Sequence, residues 1–195
     1  MLLADADLGQ GSSLSWGAVA SDSVRTGPTV TGVPRGMHQP DQLPRLAAGF
    51  DFVIVDCPPT LGDVTRSALM VADLVVIPCT PSQADLWAVG KTLEVVTAAQ
   101  SHRPELRAVI LMNQVVARSA LRGAARQALE ATGFPVLRTE LGTRMAYREA
   151  IGMGLGPSTC PGGKKSPAGS EVRALTDEVL AILAPPAKRK AARRG

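Results

Sequence analysis

Asp51-Phe52-Val53-Ile54-Val55-Asp56-Cys57-Pro58-Pro59 is the stretch whose reading decides the fold. Apolar β-branched and aromatic residues run into a carboxylate and then into two prolines. An unbroken apolar run of this length reads as a strand buried on both faces, as in a parallel sheet. The strand ends near Asp56, because Pro58 and Pro59 offer no N–H to a ladder. A carboxylate at the carboxyl end of such a strand lies where open α/β sheets bind their ligands. The competing reading is an ordinary solvated loop Asp.

Outward from that stretch, apolar runs alternate with helical patterns. Upstream, Leu2-Leu3-Ala4 ends in Asp5-Ala6-Asp7, and Gly9, Gly11, Ser12 and Ser13 mark a loop. Residues 21–40 read as irregular, with one short strand near 29–33; Leu43, Leu46 and Ala47 form a short helix. Downstream, Leu61, Val64, Ala68 and Val71 are spaced as one helical face. Leu74-Val75-Val76-Ile77 is a strand closed by Pro78. Leu86, Val89, Leu93 and Val96 lie on a long helix ended by Pro104. Ala108-Val109-Ile110-Leu111-Met112-Asn113 is another strand. Ser119 caps a helix ended by Gly133, and a short strand covers 134–137. A helix follows at 144–151, then a Gly/Pro/Ser/Lys loop at 152–169, and a last helix at 170–183 stopped by Pro185-Pro186. This alternation predicts an α/β fold, a mostly parallel sheet with helices on both faces.

Composition narrows the class. With 45% hydrophobic and 19% charged residues, the chain of 195 residues reads as one globular domain. No apolar run reaches the roughly 20 residues of a membrane span, and the first residues lack the basic region of a signal peptide. Cys57, Cys79 and Cys160 form no CxxC pair, so neither zinc nor a disulfide framework is indicated. The net charge of +4 is more than supplied by Lys188, Arg189, Lys190, Arg193 and Arg194. The body, residues 1–184, is near neutral, and 185–195 read as a basic, disordered tail.

Four ordered segments carry a family resemblance. Leu2-Leu3-Ala4-Asp5-Ala6-Asp7-Leu8-Gly9-Gln10-Gly11-Ser12-Ser13 resembles the "LLVDADPQGS" segment of the ParA/MinD deviant Walker A ATPases. Residues 51–59 resemble their Walker B segment. Ala72-Asp73-Leu74-Val75-Val76-Ile77-Pro78-Cys79-Thr80-Pro81-Ser82 resembles "ADLVIIPVTPS". Arg144-Met145-Ala146-Tyr147-Arg148-Glu149-Ala150 resembles the late "R-x-x-Y-x-x-A" helix. The likeness spans residues 2 to about 183 and is greatest to small plasmid-partition ParA proteins. It implies a P-loop NTPase-like fold, ATP and Mg²⁺ as cofactors, and an ATP-dependent homodimer. It also implies non-specific DNA binding, a ParB-like partner protein, no membrane partner and a cytoplasmic, nucleoid-associated location.

The resemblance assigns roles by position. Asp7 matches the catalytic Asp that orients the attacking water. Asp56 and Asp5 match residues at the magnesium, and Asn113 a strand-end residue near the nucleotide. Arg144 and Arg148, four apart on one helical face, match a region that contacts DNA. The tail cations Lys188, Arg189, Lys190, Arg193 and Arg194 can displace counterions from phosphates without reading bases. Solvated loop or surface residues are the alternative in each case. Cys57, Trp16 and Trp87 read as packing residues, and His38 and His102 as solvated.

One departure stands out. The family's glycine-rich KGGxGKTT loop, with its strand and helix, has no counterpart among these residues. Gly90-Lys91-Thr92 has Asp85 where the first glycine belongs and lies in a helical pattern. Gly162-Gly163-Lys164-Lys165 has Ser158 there and Lys165 where Ser or Thr is needed. Neither follows a strand and opens a helix, as phosphate cradling requires. The expectation is therefore an N-terminally truncated family member, through a misplaced start or as a fragment, inactive in hydrolysis. The resemblance places the absent strand between the Asp5 and Asp56 strands; without it those two either pair with each other or leave a gap that exposes Leu2, Leu3, Ala4 and residues 52–55. The alternatives are a non-catalytic remnant that binds DNA or a partition partner, and a MinD-like positioning ATPase.

Overall fold

The computed structural model describes residues 1–22, 27–33 and 36–184. Among these, strands and helices alternate. They are β1 (Leu2–Asp5), α1 (Ser12–Asp22), β2 (Thr29–Gly32), α2 (Leu43–Ala47), β3 (Val53–Asp56), α3 (Asp63–Leu69) and β4 (Leu74–Cys79). Then come α4 (Gln83–His102), β5 (Arg107–Val115), α5 (Ala120–Glu130), β6 (Val136–Gly142), α6 (Met145–Gly152), a 3₁₀ turn (Gly163–Lys165) and α7 (Pro167–Leu183). Every strand pair is parallel. The α/β class expected from the alternation is the one observed.

Local signals set most boundaries. Ser82, Ser119 and Ser166 cap α4, α5 and α7, their side chains accepting from the amides of Asp85, Leu121 and Gly169. Pro167 sits in the first turn of α7, where its missing N–H costs nothing, so that helix starts earlier than 170. The helix α1 is a correction to the expected loop at Ser12 and Ser13. Arg144 is the residue before α6 and not part of its face.

The strand order selects direct pairing over a gap, and it moves the break in the sheet. Among the described residues two three-stranded sheets form, β2-β1-β3 and β4-β5-β6. The Asp5 and Asp56 strands do not flank a missing strand. They pair directly, Leu2 opposite Val53 and Asp5 opposite Asp56. The interruption falls between β3 and β4. Leu2 and Ala4 are consequently buried, at 2% and 0% exposure, whereas Phe52 and Ile54 remain 47% and 51% exposed.

The ladder geometry also explains Pro78. Arg107 N–H donates to Asp73 O, so Asp73, Val75, Ile77 and Cys79 turn their backbone groups toward β5. Leu74, Val76 and Pro78 turn theirs to the unpaired edge. There a proline removes no ladder bond, and β4 runs through it to Cys79 instead of closing.

Three apolar clusters hold the layers. One joins Ile77, Val89, Leu93, Val96, Ile110, Met112 and Leu129 under α4 and α5. A second joins Leu2, Ala4, Met37, Leu43 and Ala68, with Val53, Val55 and Val64 against them. The third, Val109, Leu111 and Leu137, receives Leu175 and Ile182 of α7. Helix α3 feeds the first cluster through Leu69 and the second through Ala68. The Arg103 guanidinium adds a tie, donating to Leu69 O at 3.0 Å and Ala72 O at 2.9 Å.

Candidate functional site

The in-register pairing of β1 and β3 brings Asp5 and Asp56 together at the carboxyl ends of neighbouring strands. Asp5 is fully buried. Its Oδ1 accepts from the Asp7 amide and its Oδ2 from the Leu14 amide, both at 3.0 Å. The Leu14 amide is one of the orphan donors of the first turn of α1. Asp5 thus fastens the 6–13 loop and the start of α1 to the sheet.

Around that anchor the loop is tightly folded. Asp7 O accepts from the amides of Gln10 and Gly11, and Gly11 takes a left-handed φ of 59°. The turn feeds α1, where Ser13 Oγ donates to Asp56 Oδ2 at 2.7 Å. The Asp7 carboxylate is half-buried and has no hydrogen-bond partner among the described residues. A shallow depression lined by Thr60, Gly62, Asp63 and Val64 opens after the Pro58-Pro59 turn.

This donor set discriminates between the residues assigned to a metal. Magnesium keeps several waters and takes one or two carboxylates or hydroxyls. Asp56, half-buried and joined to the Ser13 hydroxyl, fits such a role. Asp5 fits poorly, since it is sealed from solvent and both oxygens already accept backbone amides. No group of three or more His, Cys, Asp and Glu among the described residues could hold a metal by itself. Ser13 was not singled out from sequence. The available signal was a hydroxyl residue two positions past Gly11, where the aspartate loop opens a helix.

Among the described residues, none of the other assigned side chains bonds to Asp5, Asp7 or Asp56. Asn113 is inside β5, not at its end; its Oδ1 accepts from the Gln114 amide at 2.9 Å. Gln114 has a φ of 51°, and the β5–β6 register shifts there. Arg144 is engaged with Glu171 in α7 through Nη2 and through Nε at 2.9 Å. Tyr147 Oη donates to the same carboxylate at 2.9 Å, and the Gly142 amide at 3.1 Å. Burial acts to raise the Glu171 carboxyl. The bonds from Arg144, Gly142 and Tyr147 outweigh it and hold the group below its ordinary range. Arg148 is exposed, without a partner among the described residues. Lys188, Arg189, Lys190, Arg193 and Arg194 lie outside the described residues.

Residues read as bland divide. Cys57 is a packing residue; burial first, and the Asp56 charge second, push its thiol up to about 11. Trp16 packs as expected, its Nε1 donating to Leu155 O at 3.3 Å. Trp87 does not. It is 70% exposed on α4, because the buried face of that helix runs through Val89, Leu93 and Val96. His38 is exposed, yet its Nδ1 lies 2.8 Å from Ser67 Oγ. Gly90-Lys91-Thr92 is mid-helix and cradles nothing.

Comparison with known proteins bears on the family and the fold. A family model described as an AAA domain matches residues 35–108. The chain is 37% identical over 131 residues to the maintenance of carboxysome distribution protein A of Halothiobacillus neapolitanus, covering 67% of this chain and 60% of that protein. It is 37% identical over 60 residues to the sporulation initiation inhibitor protein Soj of Bacillus subtilis, 31% of this chain and 24% of that one. Among solved structures it superposes on the cell division ATPase MinD of Pyrococcus furiosus with a TM-score of 0.68 at 18% identity, covering 93% of this chain and 86% of that one. The chain spans less than two thirds of the length of these two curated relatives.

Proposed function

We propose, from the premise that this chain belongs to the ParA/MinD family, that it is the ATPase-type component of an intracellular partition or positioning system. The observation that carries the proposal is the Asp5–Asp56 pairing, with Ser13 bonded to Asp56 and the Asp7 carboxylate left free above it. Bound ATP and Mg²⁺ would supply the phosphoryl chemistry. Asp56 and the Ser13 hydroxyl would hold the magnesium side. Asp7, with no competing partner, would orient a water. Asp5 would act through them, keeping the loop in place. Asn113 would meet the nucleotide through its amide nitrogen, its oxygen being taken by Gln114.

The wider reading is that the nucleotide-bound form pairs with a second copy and holds nucleoid DNA non-specifically in the cytoplasm. A ParB-like protein would release it. For the DNA contact the tail cations and Arg148 are favoured over Arg144, whose charge is met by Glu171. Residues 1–195 contain no KGGxGKTT loop, and such a loop supplies much of the charge stabilisation in phosphoryl transfer. These residues alone are therefore proposed to hydrolyse nothing. Phosphate release at saturating Mg-ATP tests this: background release is expected, and turnover abolished by Asp7→Ala would refute it.

A second reading has its own support. The shared stretch with the carboxysome-distribution protein, 131 residues, is about twice that shared with Soj, 60 residues. Positioning of a protein body, in place of a plasmid or chromosome, is the cargo this favours. Deleting the gene and imaging plasmid foci beside large protein assemblies separates the two readings. Mislocalised assemblies with normal plasmid inheritance would select positioning.

A further inference from the structure

The Glu171 carboxylate divides its two oxygens between different partners. Oε2 accepts from the Gly142 amide at 3.1 Å and from Tyr147 Oη at 2.9 Å. Oε1 accepts only from Arg144, through Nη2 and through Nε at 2.9 Å. Glu171 is therefore anchored by two uncharged donors whether or not Arg144 is bonded to it. The Arg144 side chain, in contrast, has no other partner among the described residues. It is 39% exposed, against 19% for Glu171, so water reaches the guanidinium. An ion pair this exposed is held weakly and can be exchanged for another anion.

The pose of Arg144 depends on Gly142. A Cβ on that glycine would lie 3.3 Å from both Nε and Nη2 of Arg144, so the guanidinium lies folded back into space that a side chain there would take. Arg144 precedes α6 in extended backbone, and its side chain makes no cap bond. Turning it outward therefore costs the helix nothing. The surroundings are cationic. Arg148 is exposed one turn further on, and Lys164 and Lys165 are exposed in the 3₁₀ turn that packs on α7. None of these three side chains has a partner among the described residues. Between Glu149 and Glu171 the sequence contains no acid. Glu171 is thus an internal anion set among free cations, and it neutralises Arg144.

We propose that Arg144 is a reserve phosphate contact, folded onto Glu171 in the free chain and turned out onto the backbone of duplex DNA once Arg148 has engaged it. The proposal rests on the reading that this chain holds DNA non-specifically, and it adds how that contact is restrained. Glu171 is the restraint. It competes with DNA for the guanidinium and keeps affinity down until a phosphate comes within reach. Phosphate is the anion that wins the exchange, because of the fork geometry. Arg144 presents Nε and Nη2 to one oxygen of Glu171, the other oxygen being taken. A phosphate offers the fork two oxygens, the bidentate match that a guanidinium favours. After the exchange no group is stranded. Arg144 has its phosphate, and Glu171 keeps the Gly142 amide and the Tyr147 hydroxyl.

The test uses the full 195-residue chain and a fluorescein-labelled DNA duplex of mixed sequence, with binding read by anisotropy across a salt series. Melting curves check that each variant is folded. Glu171→Gln should tighten binding by up to about fivefold, the worth of an exposed ion pair that no longer has to be broken. Glu178→Gln is the control. It removes the same charge from the same helix, but Glu178 holds the Arg138 and Thr139 amides and not Arg144, so a smaller gain is expected. Gly142→Ala keeps every charge and crowds the folded guanidinium, and it should also tighten binding. It serves as well where Glu171→Gln fails to fold. Adding Arg144→Ala should abolish both gains and lower the slope of log affinity against log salt by about 0.9, one phosphate contact. The proposal is overturned if Glu171→Gln tightens binding no more than Glu178→Gln, if Gly142→Ala leaves it unchanged, or if either gain survives Arg144→Ala. Binding by none of the chains overturns the DNA reading itself; binding by the parent that the variants do not tighten overturns the restraint alone.

Discussion

Replacing Asp5 by alanine separates an anchoring role from a metal-binding one. The carboxylate is fully buried and accepts from the amides of Asp7 and Leu14 at 3.0 Å each. A hydrogen bond to a charged group contributes about 1.5–3 kcal/mol, and a buried donor left unpaired costs about 1–3 kcal/mol. Two terms soften the loss. Leu14 is 37% exposed, so water can reach its amide. Removing the carboxylate also relieves its own desolvation, which is several kcal/mol for an uncompensated ion. The expected net destabilisation is about 2–4 kcal/mol. With a urea dependence of about 2 kcal/mol per molar, the unfolding midpoint falls by roughly 1–2 M. Urea unfolding followed by circular dichroism, without nucleotide or magnesium, measures it. Asp7→Ala is the control, because its carboxylate has no partner, and a shift within about 0.5 kcal/mol is expected there. If Asp5→Ala moves the midpoint no more than Asp7→Ala does in metal-free buffer, the anchoring argument fails.

Other expectations follow from single contacts. Glu171→Gln should destabilise by about 1–3 kcal/mol, discounted because Arg144 is partly exposed. The folded carboxyl lies below its ordinary 4.5. Its stabilisation is thus complete above pH 4.5 and is lost as pH falls through the folded value. Unfolding midpoints at pH 7 and pH 4 should therefore converge in Glu171→Gln relative to the parent, and an unchanged difference would contradict this. Gly154→Ala should cost about 2–4 kcal/mol, because φ is +64° and a Cβ would lie 2.5 Å from Ala20 N; a melting temperature within a degree of the parent would refute it. At pH 8 the Cys57 thiol, pushed up to about 11, should alkylate far more slowly than a free thiol of ordinary pKa. Mass spectrometry of iodoacetamide-treated protein gives the rates.

Helices and strands were legible wherever the signal was local. Val53 to Asp56 ends before two prolines, α4 shows its apolar period, and Ser119 announces its helix. Helix α1 was not legible, because its residues, SSLSWGAVASD, carry little amphipathic period. What ties its first turn to the sheet is a carboxylate nine residues earlier, Asp5 on Leu14. Arg144 was misplaced for a related reason. A spacing of four reads as one helical face, but the helix begins one residue later, and the partner of Arg144 lies in α7, 27 residues away.

Sequence alone determined the parallel α/β class, the family resemblance and the set of carboxylates, because those rest on period, composition and motif order along the chain. It could not assign neighbours. An apolar run buried on both faces reads the same whichever strands flank it, since hydrogen bonds across a ladder leave no mark in either strand. Only the tertiary structure decided that β1 lies directly against β3 and that the break lies between β3 and β4. It also decided that Pro78 can continue a strand, because its missing N–H points to an edge with no partner. The two aspartates separated for the same reason. In the chain Asp5 and Asp7 are alike, two residues apart beside the same glycines. In the fold one side chain is turned into the sheet, where backbone amides consume it, and the other is left free.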